Sequence, residues 1–504
     1  MDQSPALLVV APLLAACFIA AAGWFRRSLC FPLAVAGLAV ALFSSVATAL
    51  RVLGQGPFIY RMAGWDPPWG ISYAIDYLNA PVLVVVAAVA LLNLISSRRI
   101  IEEEQAEKAF AFHALYLLSV TGLLGMTATG DAFNLYVLLE ISSLTGYALV
   151  ARGDDRAALA GLNYVLLGTI GASFYLLGVG FLYMLTGSLN MVDLGRLLPD
   201  LYGSPALLAG FLLIMVGVWT KAALFPLHAW LPGAYTHANN ASSSLLAPLM
   251  TKVMIYVMLR MMLTVFTPDY VFSQLALEGI VVVLATVAIV AGALMSLAQK
   301  DLKKMAAYII VSEVGYMVGG AWLGNRAGLT GATLHVLNDA LMTLCIFMVV
   351  ANVTWRIKSY AFKDLRGLFA KMPFTMMAFV AGGMSIIGVP PACGFFSKWY
   401  LIRGGLEAGR YEFVIALLLS SLVNVVLFFR VFEYAFFPEG DTDAHGHAQG
   451  TPHGHVEDHA VAIEEAPLSM VVPLWVVAAG LIVVGLYTGV IVRLFIDPAL
   501  PAPL

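Results

Sequence analysis

The chain alternates between long apolar runs and short polar stretches, and this pattern predicts its secondary structure. Each run is about 20 residues or longer and rich in Leu, Val and Ala, which is the length that a helix needs to cross a ~30 Å hydrocarbon layer. A membrane β-barrel would instead show shorter segments in which apolar and polar residues alternate. We therefore predict an all-α polytopic membrane protein. Its fourteen expected helices cover residues 6–25, 29–50, 76–97, 109–129, 131–151, 157–184, 205–228, 243–266, 271–298, 303–324, 329–354, 373–402, 411–436 and 468–493.

The composition supports this prediction and excludes a soluble globular domain. Of the 504 residues, 61% are hydrophobic and only 11% are charged, which is far from the average of soluble proteins. The cysteines show neither CxxC nor haem-type spacing, so we expect no disulfide, iron–sulfur cluster, structural zinc or other cofactor. These cysteines are Cys17, Cys30, Cys345 and Cys393.

The distribution of lysine and arginine predicts how the chain is oriented. If the N-terminus lies outside, the connections that follow odd-numbered helices carry about twice as many of these residues as the other connections, in accordance with the positive-inside rule. Arg26 and Arg27 follow the first apolar run rather than precede it, which favours a first helix over a cleaved signal peptide. We expect an even number of spans with both termini on the outer face.

Three connections between the runs differ from simple turns. Residues 51–75 combine Gly, Pro and alternating aromatic residues, which predicts a β-hairpin on the outer face. Residues 98–108 form a charged cytoplasmic turn. Residues 437–467 contain five histidines, and we favour a flexible cytoplasmic linker over a transition-metal site because nothing fixes the ligand geometry. The five are His445, His447, His453, His455 and His459.

Seven ionisable residues lie inside the apolar runs, where a charged side chain costs several kcal/mol unless it meets a partner, a cavity or an ion path. They are Glu140, Lys221, Lys252, Glu313, His335, Asp339 and Lys398. Two of the runs are also interrupted by helix breakers, at Pro226 and Pro232 and at Pro390 and Pro391. Interrupted helices at membrane depth are typical of transport sites.

These residues occur in a repeated order. Glu140 is followed two helices later by Lys221 at an interruption, and Glu313 is followed two helices later by Lys398 at another. The two sets are five helices apart, so the second enters the membrane from the opposite side, as in an inverted repeat. A buried acid beside a buried lysine can exchange a proton at modest cost, and a series of such pairs would form a proton relay. For any single residue, a structural ion pair or a snorkelling lysine is the alternative.

Five ordered motifs resemble the antiporter-like subunit family, which includes Mrp-type cation/proton antiporter subunits and the proton-pumping membrane subunits of complex I and membrane-bound hydrogenases. They are GDAFNLYVLLEISSLTGYALVA, WTKAALFPLHAWLPGAYTHA, LLAPLMTKVMIYVMLR, QKDLKKMAAYIIVSEVGYM and SIIGVPPACGFFSKW. The likeness covers residues 75–435 and is greatest to the D-type subunits of the Mrp antiporters. It implies fourteen helices with two inverted five-helix repeats and broken seventh and twelfth helices.

The resemblance also implies a division of the chain and roles for the buried residues. The expected segments are 1–108 with three helices and the outer hairpin, 109–266 and 271–436 as the two repeats, 437–467 as the linker, and 468–504 as the last helix. Glu140 would be the acid of the fifth helix, and Lys221 would be its partner. Lys252 would connect the two repeats, and Lys398 would be the terminal lysine.

The chain departs from the family pattern mainly in the second repeat. Asn338 and Thr343 stand where relatives often have a histidine and a lysine, and Glu313 stands where they more often have His or Gln. Nearby His335 and Asp339 would take over these roles, or the second half of the relay works differently. In the sixth helix, Asn163 replaces a common lysine.

The leading hypothesis is therefore a proton-translocating subunit of a multi-subunit monovalent cation/proton antiporter, moving Na⁺ or K⁺, in a bacterial-type inner membrane. The alternative is the non-redox, proton-pumping subunit of a complex I-like quinone oxidoreductase or a membrane-bound hydrogenase. A self-contained solute carrier and a purely structural scaffold are less favoured, because the buried charges form the main polar feature of the spans. The expected partners are other membrane subunits, protons, monovalent cations and lipid, and no nucleic acid.

Overall fold

The computed structural model describes residues 3–23, 25–105, 108–437 and 464–501. In this part of the chain, one antiparallel hairpin joins strands β1 (Phe58–Arg61) and β2 (Ser72–Ile75), and all other regular elements are helical. The α-helices are α1 (Ser4–Ala22), α2 (Cys30–Gln55), α3 (Asn79–Ser96), α4 (Arg98–Glu104), α5 (Ala109–Ala128), α6 (Ala132–Val150), α7 (Ala157–Thr186), α8 (Met191–Leu197), α9 (Pro205–Ala222), α10 (Trp230–His237), α11 (Asn240–Arg260), α12 (Glu278–Leu297), α13 (Leu302–Trp322), α14 (Arg326–Ile357), α15 (Leu368–Lys371), α16 (Pro373–Ile387), α17 (Cys393–Glu407), α18 (Tyr411–Phe436), α19 (Leu468–Leu486), α20 (Thr488–Ile491) and α21 (Asp497–Ala499).

The number of long apolar helices confirms the prediction of a polytopic all-α membrane protein. Among the described residues, 13 helices are long and apolar enough to span a membrane, and α16 is a shorter apolar helix. Together, α16 and α17 occupy the interrupted span predicted over residues 373–402. The thirteen long helices and this broken one account for the fourteen predicted spans. The predicted β-hairpin is present, whereas the predicted charged turn contains α4, which an Arg98–Glu102 ion pair of 2.8 Å supports.

Three helices form the centre of the bundle. In the apolar part of α11 all residues are buried, and in α13 and α14 94% are, compared with 33% in α1. Helix α14 packs against α11 and α13 on one side and against α16, α17 and α19 on others. Because these central helices meet protein rather than lipid on every side, they can carry polar groups that an outer helix could not.

Both interruptions predicted from proline occur, and each lies between two half-helices. Helix α9 ends at Ala222, Ala223 is left-handed at φ 60°, and α10 begins at Trp230. Helix α16 ends at Ile387 with Gly388 at φ 93°, a conformation that favours glycine, and α17 begins after Pro390 and Pro391.

The positions of the two prolines in the first interruption differ. Pro226 lies between the half-helices, as expected. Pro232, which we expected to interrupt the helix as well, lies in the first turn of α10. Proline is tolerated there because the first N–H groups of a helix have no partner within it.

The predicted histidine-rich linker lies for the most part outside the described residues, since all five of its histidines fall within 438–463. The chain on both sides of this segment is bound near α15. Phe437 accepts a hydrogen bond from the Gly367 N–H at 3.0 Å, and the Glu464 N–H donates to the Lys371 carbonyl at 2.7 Å. The described residues on the two sides of this segment are therefore bound to neighbouring parts of the chain.

Candidate functional site

The first buried cation is Lys221, in the last turn of α9 before the interruption. Its side chain is 2% exposed, and Nζ donates hydrogen bonds to Ser143 Oγ at 2.7 Å and to the Tyr147 hydroxyl at 2.9 Å. Both partners lie on α6. Two hydroxyl groups thus accept hydrogen bonds from a buried ammonium, in place of the water that would hydrate it at the surface.

Glu140 lies on the same face of α6 as these two partners, because positions i, i+3 and i+7 of a helix share one face. It is partly exposed, and its charge acts electrostatically on Lys221. Among the ion pairs of the described residues, none joins Glu140 to Lys221. The expected acid and lysine therefore interact through their charges, without an ion pair between them.

The second buried cation, Lys252, forms an ion pair in the centre of the bundle. Its Nζ on α11 lies 2.9 Å from Asp339 Oδ2 on α14, and both side chains are 2% exposed. Thr343, one turn after Asp339, accepts from Nζ at 3.1 Å and donates to Asp339 Oδ1 at 2.8 Å. The three groups form a closed triangle that satisfies both charges.

The third group joins α13, α14 and α17. His335 Nε2 is hydrogen-bonded to Glu313 Oε2, and His335 Nδ1 lies 2.8 Å from Ser397 Oγ. Glu313 and His335 are essentially inaccessible to solvent, and the other carboxylate oxygen, Glu313 Oε1, is buried without a hydrogen-bond partner. An acid, an imidazole and a hydroxyl thus follow one another in the buried interior.

Lys398, the last of the buried cations, is held by the second interruption. Its Nζ donates to the Ile386 carbonyl at 2.6 Å and to Ser421 Oγ on α18 at 3.1 Å. Ile386 lies in the last turn of α16, where carbonyls lack partners within the helix and the helix dipole favours a cation. The interruption itself therefore supplies the acceptor for Lys398.

The seven predicted residues therefore fall into one continuous group and two flanking parts. Glu313, His335 and Asp339 have ligand atoms within 4.8 Å of one another, and Lys252 extends this cluster through Asp339. The charges of Glu313 and Asp339 act on Lys398 at one end. Glu140 and Lys221 lie together at the α6–α9 contact. The three ligand atoms could also hold a metal ion, but Asp339 and His335 both have protein partners that such an ion would displace.

Five residues whose hydroxyl groups contact the predicted site residues were not predicted as part of the site, although Thr343 was noted for its place in the family pattern. These are Ser143, Tyr147, Thr343, Ser397 and Ser421. Helical spacing could have indicated some of them, since Ser143 and Tyr147 follow Glu140 by three and seven residues and Thr343 follows Asp339 by four. The remaining two depend on contacts between distant helices and had no local signal.

A separate polar cavity of about 400 Å³ opens at one end of the bundle, where α10 meets α11. Lys303 is buried at its wall and donates to the Ala238 carbonyl at 2.6 Å, while His237 Nδ1 pairs with Asp154 Oδ2 at 2.9 Å. Burial raises the pKa of the Glu104 carboxyl in the same wall, although Lys303 and Lys358 oppose the shift. The cavity reaches α11 at Asn240, which lies about twelve residues, or roughly 18 Å, along the helix from Lys252.

Comparison with protein families gives one match that covers more than half of the chain. The family described as NADH:quinone oxidoreductase/Mrp antiporter, TM, matches residues 129–423. The matched region begins just before α6 and ends within α18, so it contains the seven predicted ionisable residues and both interruptions.

Individual relatives are similar over most of their length. An NADH-quinone oxidoreductase N-type subunit from Desulforudis audaxviator is 42% identical over 503 residues, 99% of this chain and 98% of that protein. A Na(+)/H(+) antiporter D-type subunit from Bacillus subtilis is 29% identical over 411 residues, 79% of this chain and 82% of that protein. A chain of the membrane-bound sulfane sulfur reductase, an archaeal respiratory membrane complex, aligns with a TM-score of 0.87 and 29% identity over 98% of this chain and 97% of its own.

Proposed function

The chain belongs to the NADH:quinone oxidoreductase/Mrp antiporter transmembrane family, and we propose that it is the proton-translocating subunit of a multi-subunit monovalent cation/proton antiporter. The cation is Na⁺ or K⁺. The protein works in a bacterial-type inner membrane beside other membrane subunits, as the word subunit in the names of both relatives suggests.

The observation that carries this proposal is the continuous buried series of Lys252, Asp339, His335 and Glu313. Each can gain or lose a proton, and each lies next to another in a region that excludes water. Stability does not require such a series, because a buried ion pair can usually be replaced by apolar residues at no cost. A row of titratable groups at membrane depth is instead what proton transfer requires.

In the proposed relay, Glu140 and Lys221 form the first part and Lys252 connects it to the second. Asp339 and His335 replace the residues that the family more often has in the eleventh helix, and Glu313 follows through His335. Lys398 is the terminal site. The hydroxyl groups of Ser143, Tyr147 and Thr343 hold the ammonium groups in place, which allows protons to move while the charged form remains solvated.

The two repeats of this proposal cover residues 109–266 and 271–436, after an N-terminal part of residues 1–108, and residues 437–467 and 468–504 form the linker and the last helix. Matched local features support the repeats. Asp131 caps α6 and Asp301 caps α13, the two helices that carry the buried glutamates. Each aspartate also forms a β-bridge to a residue beyond the next helix, Asn190 and Ala361 respectively. The excess of lysine and arginine supports placing both termini on the outer face.

A second candidate is the proton-pumping membrane subunit of a complex I-like quinone oxidoreductase or of a membrane-bound hydrogenase. It is favoured by one specific observation: the quinone oxidoreductase relative is 42% identical over nearly the whole chain, against 29% over 79% for the antiporter relative. In that case electron transfer in separate subunits would supply the energy, and the same buried series would move the protons.

The test uses the assembled complex in proteoliposomes that contain a pH-sensitive dye. A Na⁺ or K⁺ gradient imposed without membrane potential should drive proton movement, and Glu140→Gln or Lys221→Ala should abolish it while the complex still assembles. Normal flux in either variant would contradict the relay. Proton movement that requires an electron donor and a quinone, and that ignores the cation gradient, would establish the second candidate instead.

A further inference from the structure

His335 has a hydrogen-bond partner on each side of its ring. Nε2 faces Glu313 Oε2, and Nδ1 faces Ser397 Oγ at 2.8 Å. Ser397 is fully buried and has a second acceptor within reach, the Gly394 carbonyl one turn earlier in α17 at 3.2 Å. A serine hydroxyl has only one hydrogen, so it can donate to His335 or to Gly394 but not to both.

Whether the hydroxyl donates to His335 or to Gly394 depends on which nitrogen of the imidazole carries a proton. When Nε2 is protonated, it donates to the Glu313 carboxylate, and Nδ1 accepts the hydrogen of Ser397. When a proton is added at Nδ1, that N–H donates to Ser397 Oγ, and the hydroxyl hydrogen turns to the Gly394 carbonyl. The Nε2 proton can then pass to Glu313, which leaves a neutral carboxyl group and an imidazole protonated at Nδ1.

We propose that Ser397 is a positioning residue for proton transfer, whose hydroxyl switches between Gly394 and His335 and thereby lets the imidazole accept a proton at Nδ1 and release one at Nε2. The step is balanced: a protonated group of the proposed relay gives one proton to Nδ1, Glu313 takes one from Nε2, and Ser397 keeps its own. The return requires the opposite sequence, with Glu313 giving its proton back to Nε2 and Nδ1 releasing the other. This inference rests on the proposed function.

The neighbours of His335 favour this role over a purely structural one. The titratable groups near it are Glu313 and Tyr316 from α13 and Asp339 on α14. Lys252 from α11 and Cys393 and Lys398 from α17 interact in turn with Asp339. Ser397 is the group that contacts Nδ1. It also directly precedes Lys398 in α17.

The distances distinguish this arrangement from a serine that merely bonds to its own helix. Buried serines elsewhere in the protein do so at short distance, as Ser296 does to Ala293 at 2.7 Å and Ser243 to Asn239 at 2.9 Å. For Ser397 the bond to the helix carbonyl is the longer of the two, and the contact with the imidazole is the shorter. The hydroxyl is therefore positioned to hydrogen-bond to His335 in preference to the Gly394 carbonyl.

The experiment compares Ser397→Ala, Ser397→Thr and the matched control Ser296→Ala in the assembled complex. Proton flux in proteoliposomes is measured between about pH 6 and 9, together with assembly and Tm. We expect Ser397→Ala to lower flux about tenfold and to move the midpoint of the flux–pH profile by about one unit toward lower pH. The reason is that a charged imidazole loses more from a missing partner than a neutral one does.

The conservative variant and the control separate the possible outcomes. Ser397→Thr keeps the hydroxyl and should restore flux and profile to within about twofold of the wild type, and Ser296→Ala should leave both unchanged. Wild-type flux and profile in Ser397→Ala would overturn the inference, as would an equal loss in the Ala and Thr variants. If the wild-type complex itself moves no protons, the proposed function fails, which is a different result from a serine without effect.

Discussion

Lys252 and Asp339 form an ion pair across the centre of the bundle, with the ammonium of α11 at 2.9 Å from the carboxylate of α14 and both side chains almost completely buried. Thr343 bonds to both groups, so neither charge is left without a partner. The pair therefore links the part of the chain that carries Lys221 to the part that carries Glu313.

Breaking this pair should be costly, whereas replacing it as a whole should not. Asp339→Asn leaves the Lys252 ammonium buried without a counter-charge and should lower the free energy of unfolding by about 3–5 kcal/mol. The double variant Lys252→Met/Asp339→Leu should recover most of this loss but transport no protons. Thermal unfolding and flux assays measure the two effects.

The control for this comparison is an exposed pair. Arg403 and Glu407 form an ion pair of 2.7 Å on the surface of α17, and Glu407→Gln should change stability by about 1 kcal/mol or less. If Asp339→Asn is as stable as Glu407→Gln, the buried pair does not have the role described.

Substituting Gly168 on α7 should disturb the hydrogen bonding of Lys221 indirectly, through Tyr147. A Cβ atom at Gly168 would lie 2.0 Å from the Tyr147 hydroxyl, which is one of the two partners of Lys221. Gly168→Ala should therefore displace the tyrosine and lower proton flux several-fold while the complex assembles normally. Gly180→Ala on the same helix meets nothing within 4 Å and should leave flux unchanged. Equal flux in the two variants would show that Tyr147 does not matter to Lys221.

Asp76 should make the stability of the protein depend on pH in the acid range. Burial alone would raise the pKa of its carboxyl, but the charge and hydrogen bonds of Arg260 lower it below its ordinary value of 3.8. A lowered pKa in the folded state stabilises the protein above the pKa of the unfolded chain, and this stabilisation is lost as the pH falls through the folded value.

The measurement is Tm as a function of pH. The wild type should lose Tm below about pH 4, whereas Asp76→Asn should have a lower Tm at pH 7 and a flatter profile in acid. Asp66→Asn is the control, because Asp66 pairs with Arg61 at an exposed site and should contribute little. A wild-type-like acid profile in Asp76→Asn would contradict this account of the Arg260 pair.

Removal of the histidine tract should leave transport nearly normal. Deleting residues 443–460 retains 438–442 and 461–463, and the flanking residues Phe437 and Glu464 are bound to Gly367 and Lys371, which are close in the chain. The shortened connection can therefore still join them. Flux of the deletion variant with and without added Zn²⁺ is the measurement, and a loss that metal restores would establish a metal site instead of a linker.

The apolar runs and the helix breakers were sufficient to predict the spans and both interruptions. In a membrane, a run of about 20 apolar residues can form little other than a transmembrane helix. Proline and glycine mark the places where a helix ends. The presence of buried charges could also be predicted, because each ionisable residue is conspicuous among apolar neighbours.

The partners of these charges could not be predicted to the same extent. The central helices are apolar or buried on every side. Their sequences therefore show no apolar stripe that would indicate which face of a helix packs against which neighbouring helix. The repeated order grouped Glu313 with Lys398, as it grouped Glu140 with Lys221. In the structure Glu313 contacts His335, and Lys221 contacts Ser143 and Tyr147. These choices depend on the rotation of each helix about its axis, which only the packed bundle determines.

Asp339 and His335 are one turn apart on α14, and each is held by a different neighbouring helix. The four residues from His335 to Asp339 correspond to about 6 Å along the helix, and between buried groups a change of charge acts over that distance with little screening by ions. A proton gained or lost on one side therefore alters the energy of the next site directly. In the proposed relay, coupling between the two halves of the molecule would therefore need no hinge and no sliding helix, and a rigid bundle would be sufficient.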